Sequence, residues 1–513
     1  MKLEPHMRRK IMNQQHSHLP GPIFKRCRRL LSRSPWLRSN ALAAANVLGT
    51  LVVLSPLILL VTASLGALNL FAQSRGPLDM FFGLVSLAIA AFCAWLSLQL
   101  YQLHPNDRAG VELAETDTPE LFGILQRRIQ HFRIKPVSHI IATTEAELRI
   151  AATPRWPMPL LHKHSLHIGI PLLFFLGRTQ FRAVLAGAAA HATHRQKTFS
   201  GWLEQACDDW PLISVSLCSS DCQVARLLEK PVRQINAIIE ELSAPMRSDW
   251  RQQQTRWILD NSDEKNATTL LANQLVAKAF LEKQYWPMVM KAAERSPAPV
   301  VQAFSHLPVL LHKILDKKLA DRWLLQSHTA LGQRDTGTRD LMAHLCIDHL
   351  DWPGLPKRTI FDRLFDSSRI LKKMDRYWQD SVKQDWEEAY ANHKNDRERF
   401  ERLRPQQQKL RGDSALRYIN LTPSFVSGEE EIQIYRDIVT SNPEDARVCF
   451  ACGLAMLRAS QGKRGKDALN RARSLEPKLS RRVKELFGEY NIPTNTQPAT
   501  TLETEATPNT ATA

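Results

Sequence analysis

Two long stretches without a charged side chain dominate the pattern of hydrophobic and polar positions. Residues 41–71 read ALAAANVLGTLVVLSPLILLVTASLGALNLF, and residues 80–103 read MFFGLVSLAIAAFCAWLSLQLYQL. A helix needs about 20 apolar residues to cross the hydrocarbon of a bilayer, so either run is long enough. Pro56 falls inside the first, where a membrane helix tolerates a kink. Residues 72–79, AQSRGPLD, are too few for a domain. The pattern therefore predicts a transmembrane hairpin. Trp95 and Tyr101, toward the far end of the second run, suit a membrane–water interface.

The pattern then changes. Residues 139–144 (HIIATT) read as a strand, with residues 147–152 (ELRIAA) as its hairpin partner. Pro154, Pro157 and Pro159 predict a loop. Residues 166–170 (LHIGI) form a further short strand, and residues 178–196 an amphipathic helix. Phe181, Val184, Leu185 and Ala188 recur in that helix at i, i+3, i+4 and i+7. From about residue 270 the spacing is helical throughout, at residues 270–282, 300–311, 318–326 and, as one long amphipathic helix, 370–403. Trp378, Trp386 and Tyr390 line one stripe of the last, a core-packing pattern. The fold class is thus mainly α with a small β-sheet, an N-terminal transmembrane hairpin and an all-α C-terminal part.

Charge changes the picture at the N-terminus. Of a formal net charge of +17, residues 1–40 carry +9, from ten basic side chains and Glu4. A basic flank directly before an apolar run is retained in the cytoplasm. It explains the excess better than nucleic acid, which is not an expected partner. Two crossings return the chain to the same side, so both termini and the soluble region are expected in the cytoplasm. The apolar run is too long and starts too late for a cleaved signal peptide. The 8 cysteines are too sparse for a disulfide scaffold. Cys449 and Cys452 have C-x-x-C form, and Cys218 and Cys222 lie four apart. Neither pair has a second ligand pair at zinc-finger spacing, so both read as structural.

The middle of the chain carries a series of short motifs in order. They are Gly110, Pro119, Leu121 and Phe122; residues 166–173 (LHIGIPLL); residues 181–186 (FRAVLA); residues 199–202 (FSGW) with Trp210; residues 264–268 (EKNAT); and residues 335–340 (DTGTRD). Over about residues 40–345 the chain resembles the HtpX-like and CAAX prenyl protease family of membrane zinc metallopeptidases. The resemblance implies a gluzincin-like core. In it a helix bears His-Glu-x-x-His, two histidines on one face binding zinc and the Glu acting as general base, and a later Glu is the third ligand.

The register of the resemblance places Gly187 at the first ligand position, Ala188 at the general base, His191 at the second ligand and Glu264 at the third. Thr268 and Gly337 replace two further polar residues of the family pattern. No catalytic residue is therefore expected, and no zinc. His162, His164 and His167 precede the helix. An alternative reading rebuilds a zinc site from His191, His194 and Glu264.

Residues 426–488 look like tetratricopeptide helices: Pro443 and Pro477 are 34 apart, the length of that repeat. Gly453 and Ala472 fall at its close-contact positions, and residues 432–440 would be the second helix of a preceding repeat. The expected organisation is a basic tail (1–40), a hairpin (41–103), a metallopeptidase-like domain (104–345), a helical extension (346–425), the tetratricopeptide-like helices (426–488) and a disordered tail (489–513). Three functions compete. The first is an inactive membrane-anchored peptidase relative that binds a protein or peptide. The second is an active metalloendopeptidase with a rebuilt zinc site. The third is a membrane-tethered helical adaptor.

Overall fold

The computed structural model describes residues 34–73, 76–102, 110–155, 158–218, 220, 222–260, 263–334, 350–365, 367–459 and 462–490. They form two compact units that divide after Trp386. The first is mainly helical around a small mixed sheet, and the second is all helical.

The first unit opens with helices α1 (Pro35–Ala72) and α2 (Pro77–Gln102). Pro35 sits at the first helical position, and the Ser34 hydroxyl accepts from the Leu37 N–H at 3.5 Å, so the start is capped. Both helices are long and apolar enough to cross a membrane. They pair along their length: Ser86 donates to the Ala63 carbonyl at 2.8 Å, and Gly83 packs on the Phe71 ring. Their outer faces expose large apolar side chains, among them Leu65, Leu68, Phe81 and Phe82. The base of the hairpin is partly covered. Leu42, Val53, Leu96 and Leu100 join Trp210, Ile213, Val232 and Ile235 in one buried cluster.

The sheet corrects the expected pairing. Its strands are β1 (Val111–Leu113), β2 (Val137–Thr143), β3 (Leu148–Arg155) and β4 (Met158–Gly169), ordered β1-β2-β4-β3. β2 does not pair with β3. It runs parallel to β4, and β3 runs antiparallel to β4. Burial explains the choice. Ile140–Ala142 and Leu166–Ile168 are buried, as central strands require. The predicted loop is also absent at Pro154 and Pro159, which lie within strands. Gly169 donates to the Glu147 carbonyl at 2.7 Å. With strand alternation, odd-numbered residues of β3 therefore face β4, and even-numbered ones face away. The missing N–H of Pro154 falls on the outer side of an edge strand, where it breaks no ladder bond.

Helix α3 (Pro119–Phe132) precedes β2. After β4 come α4 (Arg178–Lys197), α5 (Phe199–Cys218), α6 (Gln223–Ser243), α7 (Met246–Asp260) and α8 (Glu264–Phe280). Helices α9 (Ala303–Ile314) and α10 (Lys317–Arg334) follow. The long predicted helix is α11 (Ser367–Leu403). Trp378 and Trp386 are buried in the first unit, their rings 6.1 Å apart and edge to face. That arrangement is core packing, as the stripe suggested.

In the second unit, α12 (Gly412–Phe425), α13 (Glu429–Ser441), α14 (Ala446–Arg458), α15 (Gly462–Leu475) and α16 (Ser480–Glu489) stack as neighbours. Asp445 caps α14 by accepting from the Arg447 and Val448 N–H groups. A Cβ on Gly453 would lie 2.8 Å from Leu469 Cγ and 3.1 Å from the Gly465 carbonyl oxygen. The expected close contact between paired helices is there. Gly453→Leu should overpack it and cost about 1–3 kcal/mol. Thermal unfolding checks this, and an unchanged midpoint would refute the contact. Cys449 and Cys452 are free thiols in the same interior. Burial pushes both thiols up in pKa, so neither is a ready thiolate.

Candidate functional site

Helix α4 carries the positions on which the sequence reading turned. Gly177 precedes it, and the Gln180 amide oxygen folds back to accept the Gly177 N–H at 2.9 Å. Asn273 of α8 donates to the Phe175 carbonyl at 2.8 Å and to Gln180 at 3.3 Å, fixing the helix start from below. Its last turn carries His194, Arg195 and Lys197, favourable at a C-terminus.

Gly187, Ala188 and His191 are all buried. A Cβ on Gly187 would overlap Ile258 Cγ1 and come within 3.2 Å of Ile258 Cα. Helix α7 therefore closes over the helix face where a first zinc histidine would stand. The lack of a side chain at Gly187 lets α4 and α7 touch.

His191 lies one turn further on the same face. Its Nε2 is 2.7 Å from Glu204 Oε1 of α5. The Arg195 Nε is 3.1 Å from the same ring nitrogen. One nitrogen cannot donate to the carboxylate and accept from the guanidinium together. The shorter contact with an anion decides: His191 Nε2–H donates to Glu204, and Arg195 merely abuts it. Arg195 instead donates through Nη2 to Glu204 at 2.8 Å and to Asp208 at 2.5 Å, and through Nη1 to Gln205 at 3.2 Å.

The network continues. Gln205 donates to Asp209 Oδ1 at 2.8 Å and to the Ala152 carbonyl of β3 at 3.1 Å. Asp209 Oδ2 is 2.7 Å from His162 Nε2 of β4. The polar side chains from His191 to His162 thus form one connected chain beneath the sheet edge. His191, Glu204, Gln205 and Asp209 are all buried.

Electrostatics follow from this burial. Desolvation alone would raise the Glu204 carboxyl, but the hydrogen bond from His191 and the charge of Arg195 outweigh it and bring its pKa down to about 2. Asp209 goes the other way: burial raises it, only partly offset by His162 and Gln205. His164 is pushed down to about 4 by burial, with the neighbouring His162 and Lys135 adding to the shift, and is a neutral imidazole at neutral pH. Burial pushes the Cys207 thiol up to about 12, which makes it a poor nucleophile.

Above the network lies a cleft of about 280 Å³. The edge strand β3 forms one wall with Arg149, Ile150 and Ala151; α4 and α5 form the floor with His191, Arg195 and Glu204; α7 closes the far side with Trp250 and Gln254. The Ala152 carbonyl already points this way to meet Gln205. By alternation the backbone polar groups of Leu148 and Ile150 point the same way.

The other predicted positions are dispersed. His194 bonds Thr198 through Nδ1 at 3.1 Å, and its ring lies 5.1 Å from Trp257. His167 bonds Ser165 at 3.0 Å within β4. Glu264 is the first residue of α8; its side chain, Gly337 and residues 335–340 lie outside the described residues. Among the described residues no group of three His, Cys, Asp or Glu side chains is placed to hold a metal. The sequence reading missed Glu204, Arg195 and Asp209. The available signal was Glu204, Asp208 and Asp209 clustered in a helix that is otherwise largely apolar. Comparison with family models, curated proteins and solved structures finds no match.

Proposed function

We propose that this protein is a membrane-anchored, non-catalytic relative of the HtpX-like zinc metallopeptidases that holds an extended protein segment in the cleft beside β3. One observation carries the reading. The helix face that would bear zinc ligands is covered by Ile258 at Gly187 and taken up by an ion-paired network at His191, while the cleft beside the edge strand stays open. An edge strand with outward N–H and C=O groups is a template for adding a strand.

The donor set does not suit zinc. Gly187 offers no ligand atom, Ala188 offers no general base, and the Arg195 guanidinium sits 3.1 Å from the one retained histidine nitrogen. A cation there repels a second cation. The apolar hairpin supplies the anchor, and its basic flank puts both termini in the cytoplasm. The tetratricopeptide-like helices offer a second protein-binding surface.

The test uses purified full-length protein. A photo-cross-linking residue placed at Gln254, in the cleft wall, should capture a labelled unfolded casein fragment, and excess unlabelled fragment should compete. The casein should remain intact, and zinc should be below one equivalent. Cleavage together with one zinc that is lost on His191→Ala would overturn the reading in favour of a rebuilt site. Absence of competed capture would leave only the adaptor role. Topology has its own check. Alkaline phosphatase fused after Ala513 should be inactive in the cytoplasm, and strong activity would overturn the hairpin orientation.

A further inference from the structure

We infer that α6 is an interfacial helix that lies in the headgroup layer of an anionic membrane surface. The inference rests on the hairpin reading and adds the depth at which the soluble domain sits.

About 20 residues cross a bilayer core. Counted back from the hairpin tip at Ala72, that length ends near Val53; counted forward from Pro77, it ends near Leu96. Those two residues are where each helix enters the buried cluster with α5 and α6. Entry into the cluster and length thus mark the same plane on both helices. Large apolar side chains are exposed toward the tip and also just beyond the plane, at Val47, Leu48 and Leu51 of α1 and Leu98 of α2, the stretch that would stand in the headgroup layer.

Helix α6 crosses the hairpin just below that plane. At its N-terminus, the Val224 N–H donates to the Gln99 side chain of α2 at 3.4 Å. Three turns later Ile235 packs at Gly49 of α1, where an added Cβ would be 2.9 Å from Ile235 Cγ2. Gln99 and Gly49 are three and four residues below the plane, a depth of about 5 Å on either helix at 1.5 Å per residue. A helix that meets two spans at one depth runs along the membrane surface. Its buried stripe, Val224, Leu228, Val232, Ile235 and Ile239, faces the hairpin and α5.

The opposite side is exposed. Its first half carries Arg226, Lys230 and Arg233, with Glu229 paired to Arg233 at 3.6 Å, while Glu240 and Glu241 stand in the last turn. Leu227 stands among them, 63% exposed. An apolar tip between basic residues is the pattern of an interfacial helix. Long basic side chains reach anionic headgroups, and the leucine enters the boundary. The basic first half of α6 around Leu227 and its continuity with the membrane-spanning hairpin select a lipid surface as the occupant, met by that half of the helix.

The experiment places dansylalanine by amber suppression at Leu65, Leu227 or Lys383 of the full chain, reconstituted in phosphatidylcholine vesicles with 30% phosphatidylglycerol, about the charge of an anionic leaflet. All three sites are exposed. Shallow spin-labelled lipid should quench the probe at position 227 at least about threefold more than at 383, and deep spin label should quench position 65. Arg226→Glu with Lys230→Glu should lower the quenching at 227, and omission of phosphatidylglycerol should do the same. If position 65 escapes the deep quencher, the spanning hairpin falls and this inference with it. If position 65 is quenched and position 227 matches 383, the interfacial helix alone is refuted.

Discussion

Arg195→Met is expected to destabilise the first unit by about 3–5 kcal/mol, the cost of removing one partner from a buried ion pair. Methionine keeps much of the stem packing, so the loss reports the guanidinium. Without it, Glu204 retains only His191, Asp208 loses its partner at 2.5 Å, and Gln205 loses a donor. Urea unfolding in detergent at neutral pH measures it. The double variant Arg195→Met with Glu204→Gln should be less destabilised than the two single losses added together, because the second change removes the charge that the first strands. Strict additivity would show that the pair is not coupled.

The same network sets a pH dependence. The Glu204 carboxyl is depressed from 4.5 to about 2, so its ionised form is favoured by the fold. A depressed carboxyl contributes stability that is present above the unfolded value, near 4.5, and is lost as pH falls toward about 2. At about 1.4 kcal/mol per unit, the contribution is on the order of 3 kcal/mol. The stability gap between the natural chain and Glu204→Gln should therefore narrow between pH 4.5 and 2. A gap independent of pH over that window would mean that Glu204 acts as a neutral hydrogen-bonding group.

Much of the architecture was legible because it follows from local pattern. The hairpin was visible from two uncharged runs, and the helix of residues 178–196 from a stripe at Phe181, Val184, Leu185 and Ala188, all buried. The long helix of residues 370–403 was visible from its aromatic spacing. Strand pairing was not, because it depends on partners distant in sequence. Residues 139–144 and 147–152 are adjacent and alternate well enough to suggest a hairpin, yet β2 gains more by lying against fully buried β4. The site was half legible. That Gly187 and Ala188 offer neither a metal ligand nor a general base could be read. The network around His191 could not, because Glu204 meets His191 only when α5 folds back against α4, and Ile258 meets Gly187 only when α7 does.

That packing determines what happens when a side chain is introduced at Gly187. Gly187→His is expected to destabilise the chain by about 3 kcal/mol or more, toward the upper end for overpacking a core. The imidazole has to enter space held by the Ile258 side chain and by its Cα, 3.2 Å from where a Cβ would be. The side chain can rotate away; the backbone of α7 moves only with the helix. Gly187→Ala separates the contributions. Alanine should gain about 1 kcal/mol of helix propensity over glycine, so the clash in that variant is its net loss plus that amount. Ile258→Ala in the Gly187→His background should recover part of the loss by removing the Cγ1 contact, and calorimetry of the three variants gives the comparison. The double variant Gly187→His with Ala188→Glu should then bind zinc no better than the natural chain while α7 stays docked. An undiminished unfolding midpoint in Gly187→His, or stoichiometric zinc in the double variant at no cost in stability, would show that α7 yields readily and that this helix can accept a zinc site.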